Sequence, residues 1–154
     1  MMEVIMPDKK TLERAEQDKR EGKSPSTQAG EFVREEMEHI REGKHGARSA
    51  KQAIAIGLSK ARRAGVALKA PREGTVPEET RRRAQHDNAV GAKGAKAPSP
   101  KRSRATLGAL KREGSSAAST AALSRQTKAA ARKRTAADRS AAARKAARTR
   151  SRSA

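Results

Sequence analysis

Apolar side chains recur in this chain at helical intervals, and the larger ones gather before residue 70. In Ser26 to Glu42, STQAGEFVREEMEHIRE, the residues Ala29, Val33, Met37 and Ile40 fall at steps of 4, 4 and 3, with Phe32 beside them. That spacing predicts an amphipathic helix. Asp8 to Glu21, DKKTLERAEQDKRE, has Leu12 and Ala15 as its only apolar pair within alternating charge, and predicts a solvent-facing helix. Pro77 to Asn88, PEETRRRAQHDN, predicts a short polar one.

The most apolar run, AIAIGL at Ala53 to Leu58, alternates large and small residues as a half-buried strand does. No second run is rich enough in Val, Ile, Thr and aromatics to pair with it. Its flanks are helical. Ser49 and Gln52 have capping-box spacing, and Gly65 follows KARRA as a C-terminal glycine over which Val66 can close on Ala61. Ser49 to Ala64 is therefore expected to be a third helix. With Ile54 at zero on a helical wheel, Leu58 falls at about 40°, Ala61 at about 340°, Ala50 at about 320° and Gly57 at about 300°. This stripe is the expected core face, packing on Val33, Met37 and Ile40. Ile56 falls at about 200°, among Gln52, Ser59, Lys60 and Arg63. It is read either as a single exposed apolar residue or as one covered by the first or fourth helix. The other reading makes Gln52, Ile56 and Ser59 a partner surface beside those cations.

The tripeptide REG occurs at Arg20–Gly22, Arg41–Gly43, Arg72–Gly74 and Arg112–Gly114. Its spacing is too irregular for stacked repeats, and it reads as a helix stop: a cation in the last turn, then a glycine free to turn left-handed. Between Gly91 and Arg104, GAKGAKAPSPKRSR reads as a flexible basic linker. From Ala105 onward the chain is low-complexity Ala, Lys, Arg, Ser and Thr, with an echo between AAARKR at 129–134 and AAARKA at 141–146. An alanine-rich segment without an apolar face has nothing to offset nucleation and cationic repulsion, so this tail is expected to be largely disordered and to become helical where phosphates neutralise it.

Charge sharpens that division. Over 154 residues the chain carries 37 Lys and Arg against 17 Asp and Glu, a net +20. Residues 1–42 hold 8 cations against 11 acids, 43–92 hold 11 against 4, and 93–154 hold 18 against 2. An excess loaded at one end points to a polyanionic partner. With one Phe and no Trp, Tyr or Cys, there is no disulfide framework, no thiolate chemistry, and little aromatic surface for stacking single-stranded bases. No apolar run approaches the roughly 18 residues of a membrane span. Met6 opens MPDKK in the manner of a translation start, so residues 1–5 are read as an upstream extension.

Catalytic signals are missing from this reading. His39, His45 and His86 are read as surface histidines at helix ends, without a carboxylate or cysteine at metal-ligand spacing. No nucleophile elbow and no phosphate-cradling glycine loop is present. Two helices joined by GKHGARS have the order of a helix-turn-helix, but the turn is longer than usual. The first of the two also carries Glu35, Glu36 and Glu38, which would repel phosphate.

Lys23 to Val66, and KQAIAIGLSKARRAG within it most specifically, resembles a family of small bacterial proteins often labelled DNA-binding or plasmid-stabilisation proteins. The resemblance covers Met6 to about Leu68 and implies no catalytic residue. The segment that begins LKREGSSAASTAALSRQTKAAARKR is similar in composition to the Ala/Lys/Arg tails such proteins share with linker histones. Upstream of it SPKR, Ser99 to Arg102, resembles the Ser-Pro-basic units of linker-histone tails, whose compact turn lies in an AT-rich minor groove.

The expected architecture is all-α: a small helical domain of about three short helices over 6–70, a polar helical or linker segment over 71–92, and a low-complexity tail over 93–154. The expected function is non-enzymatic, histone-like binding of duplex DNA through the phosphate backbone, without cofactor or metal, in the cytoplasm at the nucleoid. On the head, Lys51, Lys60, Arg62 and Arg63 are the candidate nucleic-acid contacts. Along the tail they are Lys101, Arg102 and Arg104, then Arg132, Lys133 and Arg134, then Arg144, Lys145, Arg148, Arg150 and Arg152. The alternatives are a protein-interaction module using the head, and an RNA- or ribosome-associated factor; a membrane partner is not expected.

Overall fold

The computed structural model describes residues 6–94 and 97–153, and among them every regular element is helical. Seven α-helices run α1 Lys9–Arg20, α2 Pro25–Arg41, α3 Ala50–Arg63, α4 Glu78–Ala92, α5 Pro100–Lys111, α6 Thr120–Arg132 and α7 Ala136–Arg152, with a 3-10 turn at Ser116–Ala118 after α5. The proposed upstream extension at 1–5 lies outside the described residues, as do 95 and 96 within the expected linker.

Local signals set the helix ends. Ser24 caps α2 by accepting from the Thr27 N–H at 3.3 Å, with Pro25 in the first turn. Ser49 caps α3 by accepting from Gln52 N–H at 3.2 Å, and the Gln52 side chain reaches back to the Arg48 N–H at 2.7 Å, one residue beyond the capping-box position. At the other end Val66 N–H returns to Ala61 O at 3.0 Å around Gly65 at φ 93°. REG acts as the expected stop only after α1 and α2, where Gly22 and Gly43 have φ of 71° and 75°. Gly74 is left-handed in a turn away from any helix end, and Gly114 is not left-handed.

The chain divides into two compact units, 1–119 and 120–154, so the first extends well beyond residue 70. In it α2 packs on α1 and α3, and α4 packs on α3. Ala15, Ala29, Phe32, Ala61 and Val66 form one core cluster, with Leu58, Ala64 and Leu68 against it. The buried line on α3 is Ala50, Ala53, Gly57, Lys60 and Ala61, so its centre lies at Gly57 rather than between Ile54 and Leu58. A Cβ at Gly57 would stand 2.7 Å from Val33 Cα, which shows how closely the two backbones approach. Ile54 and Ile56 flank this line, and both are half-buried. On α1 the buried side is Thr11, Ala15 and Asp18, and Leu12 is 41% exposed.

The expectation of a three-helix head with a disordered tail is overturned, because helix continues through almost the whole described chain. Two physical reasons account for it. Leu107 and Leu110 of α5, one turn apart, are buried together with Ala117 and Ala118, so the first part of the supposed tail has an apolar face. It docks through backbone: Gly46 N–H to Leu110 O at 2.9 Å, Ala47 N–H to Gly114 O at 3.1 Å, and Arg41 Nε to Ala118 O at 3.1 Å. The second unit buries no residue of α6 or α7. Its helicity is local, from alanine propensity and a full capping box in which Asp138 N–H meets Thr135 Oγ1 at 3.1 Å and Thr135 N–H meets Asp138 Oδ2 at 3.3 Å. The expected linker shortens likewise, since α4 continues to Ala92 and Pro100 opens α5. SPKR is the start of that helix rather than a free turn.

Candidate functional site

The inner face of α2 carries charge. Glu35, Glu36 and His39 are 1%, 0% and 2% exposed, and the three- and four-residue separations place both carboxylates on the same helix face as the imidazole. His45, 4% exposed, enters from the loop after α2. Its Nδ1 donates to the Gly46 carbonyl at 2.8 Å, and a Cβ at Gly46 would collide with the Glu113 backbone, so the α5 end holds this loop in place. Lys60 reaches in from α3 and Asp8 from the start of α1.

These groups meet at short range. Lys60 Nζ lies 3.3 Å from Glu35 Oε1 and in contact with Glu36 Oε1. His45 Nε2 is 3.2 Å from Glu36 Oε2. Asp8 donates its backbone N–H to Glu35 Oε2 at 3.0 Å and sets its own carboxylate 3.4 Å from His39 Nε2 instead of capping α1. Glu36 meets His45 and Lys60 in ion-pair contacts, and by strict geometry neither Glu36 oxygen, neither His39 nitrogen nor His45 Nε2 has a hydrogen-bond partner. Burial pushes the Glu36 carboxyl up, but His45 and Lys60 together outweigh it and hold that carboxyl below its ordinary range. Glu36 raises the pKa of His45 in turn, against the opposing effect of burial. Two trios, Glu36 with His39 and His45, and Asp8 with Glu35 and His39, bring one donor atom per residue within 4.8 Å of one another.

The reading of His39 and His45 as surface residues is therefore overturned, while His86 is exposed. The missed signal was Glu36-x-x-His39 with His45 beyond. Two carboxylates beside a histidine on one helix face line the interior here rather than facing solvent.

The same packing removes two of the four head cations from the expected nucleic-acid surface. Lys60 is 8% exposed within the cluster. Arg62, also 8% exposed, spans back to the Leu68 and Lys69 carbonyls at 3.4 and 3.3 Å. Arg63 is exposed but bonded to Asp87 of α4 at 2.7 Å, and Lys51 is exposed. In the expected partner surface Ser59 donates to Asp87 at 2.6 Å, Gln52 is committed to the Arg48 N–H, and Ile56 is half-buried near the α4 side of α3. An open groove between α3 and α4, lined by Arg63, Arg82, Arg83 and His86, also carries Glu79 and Asp87, which pair with Arg83 and Arg63.

The tail cations are arranged differently. Lys101, Arg102 and Arg104 are exposed on the first turns of α5. In the second unit Arg125, Lys128 and Arg132 lie within about 60° of one another around α6. On α7, Arg144, Lys145, Arg148 and Arg152 lie within about 100°, and Arg139 and Arg150 face the other way. Lys133 and Arg134 sit in the turn between the two helices. All of these side chains are exposed.

Comparison with known proteins returns no match to a family model, a curated protein or a solved structure. Among the described residues no helix is long and apolar enough to cross a membrane.

Proposed function

We propose that this protein is a non-enzymatic, sequence-tolerant binder of duplex DNA, histone-like in mode and nucleoid-associated in the cytoplasm, with the helices of its C-terminal unit as the contact surface. The observation that carries this reading is the cation stripes of α6 and α7. Residues 120–154 hold 11 Lys and Arg against the single acid Asp138, which the capping box of α7 engages. Preformed helices place these charges at fixed spacing, so binding costs less backbone ordering than a disordered tail would. Phe32, the only aromatic residue of the chain, is 1% exposed, so bases have no aromatic platform and phosphate contacts are left as the main term. The resemblance of the KQAIAIGLSKARRAG segment to proteins labelled DNA-binding agrees with this reading. Lys60 and Arg62 are not part of the proposed surface.

The test is a salt titration of duplex binding by the full chain and by a variant with Arg144, Lys145, Arg148 and Arg152 all changed to Gln. If 6 to 10 phosphates are contacted, affinity falls by roughly 10³- to 10⁵-fold between 50 and 200 mM salt. The variant is expected to flatten the slope of log K against log salt by about 3 to 4, close to 0.9 per lost phosphate contact. A salt-insensitive complex, an unchanged slope in the variant, or preferential retention of RNA in direct competition would overturn the proposal.

A further inference from the structure

We propose that Glu36, His39 and His45 form a binding site for a divalent transition metal, with zinc the ion that best matches the donors. Buried polar atoms in proteins are almost always hydrogen-bonded. Here both oxygens of Glu36, both nitrogens of His39 and Nε2 of His45 are not, in side chains that are 1%, 2% and 0% exposed, and one donor atom from each of the three lies within 4.8 Å of the others. Two imidazoles and one carboxylate are a borderline donor set, suited to zinc and its neighbours and poorly suited to calcium or magnesium.

Geometry supports the assignment. His45 donates Nδ1–H to the Gly46 carbonyl, which fixes the ring and leaves Nε2 as the coordinating nitrogen, as metal-bound histidines usually do with their other ring N–H. Tetrahedral bonds of about 2.0–2.2 Å place donor atoms roughly 3.4 Å apart. Glu36 Oε2 and His45 Nε2 already stand at 3.2 Å, and His39 completes the trio within 4.8 Å, so closure requires a shift of about one ångström or less per side chain. The His39 and His45 rings lie edge to face with centroids 6.1 Å apart, separate enough for an ion to approach both.

Lys60 is the competitor. Its ammonium contacts Glu36, but it also lies 3.3 Å from Glu35, and it keeps that partner when Glu36 turns to the ion. Once both imidazoles serve as neutral ligands, the negative charges of Asp8, Glu35 and Glu36 are balanced by Lys60 and a divalent ion. The neighbouring trio of Asp8, Glu35 and His39 places further carboxylate oxygens within reach of a fourth coordination position. Such an ion would fasten the loop carrying His45 to α2 and is independent of the nucleic-acid surface on α6 and α7.

The experiment uses the full chain, stripped with chelator and titrated with Zn²⁺ alone, read by elemental analysis and by melting temperature. The expected result is one zinc per chain and a rise in melting temperature of about 5 °C or more at saturation. His45→Gln and His39→Gln should each weaken binding by tenfold or more, and Lys60→Met should tighten it by removing the competing ammonium. Should these variants fail to fold by circular dichroism, Co²⁺ added to the wild-type chain decides. Intense visible bands of a four- or five-coordinate ion support the site, and the weak spectrum of hexa-aqua cobalt overturns it. Absence of stoichiometric zinc in the wild type, or equal binding by the folded His45→Gln chain, overturns it as well.

Discussion

Gly57→Ala tests how α3 meets α2, because two opposing effects can be weighed from the structure. In an isolated helix the change is favourable by about 0.8–1 kcal/mol, since glycine is the poorer helix former. In this protein the new Cβ would stand 2.7 Å from Val33 Cα, 2.9 Å from Val33 N and 3.0 Å from Val33 Cγ2. Two of those atoms are backbone, which no rotamer change can move. Relief to an ordinary contact requires α3 to withdraw from α2 by somewhat under 1 Å, loosening Ala53 and Ala61 and drawing Lys60 from the carboxylates. Overpacking of this kind costs about 1–3 kcal/mol, so the net expectation runs from near-neutral to destabilisation of roughly 2 kcal/mol, against the stabilisation an open site would show. Gly30 in α2 and Gly108 in α5 are internal controls, because a Cβ at either meets nothing within 4 Å. Each change to Ala there should stabilise by about 0.5–1 kcal/mol. The assay is urea denaturation followed by circular dichroism at 222 nm, comparing midpoints at constant m-value. If Gly57→Ala moves the midpoint upward together with Gly30→Ala, the close approach of the two helices is refuted.

Further outcomes follow from the charged cluster and from α7. Lys60→Met leaves Glu35 and Glu36 buried without their cation and should cost about 3–5 kcal/mol; adding Glu36→Gln should restore part of it, and a double-mutant cycle with no recovery would contradict the contact. In chelator-treated protein the cluster imposes a pH optimum. The depressed Glu36 contributes stability that is present above its ordinary 4.5 and lost as pH falls through its lower folded value. The raised His45 contributes stability that is present below 6.5 and lost as pH rises through its higher folded value. Both contributions are complete only between those ordinary values, and a melting temperature that rises steadily from pH 6 to 9 would contradict the pairing of His45 with Glu36. Thr135→Ala removes the capping box of α7 and should cost that helix about 1 kcal/mol, seen as lost ellipticity at unchanged stability of the first unit.

The helices were legible in the sequence because their signals are local. Ser24 and Ser49 at the starts, Gly22, Gly43 and Gly65 at the ends, and apolar steps of three and four fixed α1 to α3 to within a residue or two. The α7 helix is equally local, in its alanines and Thr135 with Asp138, and it forms although it buries none of its residues. Charge segregation was legible by counting alone. Which face of each helix turns inward was not, because that depends on what lies opposite. Alone, α3 offers Ile54 and Leu58 as its core; against Val33, small residues at Ala53, Gly57 and Ala61 allow the closer backbone approach, and the isoleucines move to the flanks. The same rotation carries Lys60 inward to meet Glu35 and Glu36 from 25 and 24 positions away, and the docking of Gly46 onto α5 brings His45 to the same place. Taken singly, each of those residues reads as solvent-facing. Only their mutual neutralisation, which requires three elements in contact, makes burying them possible.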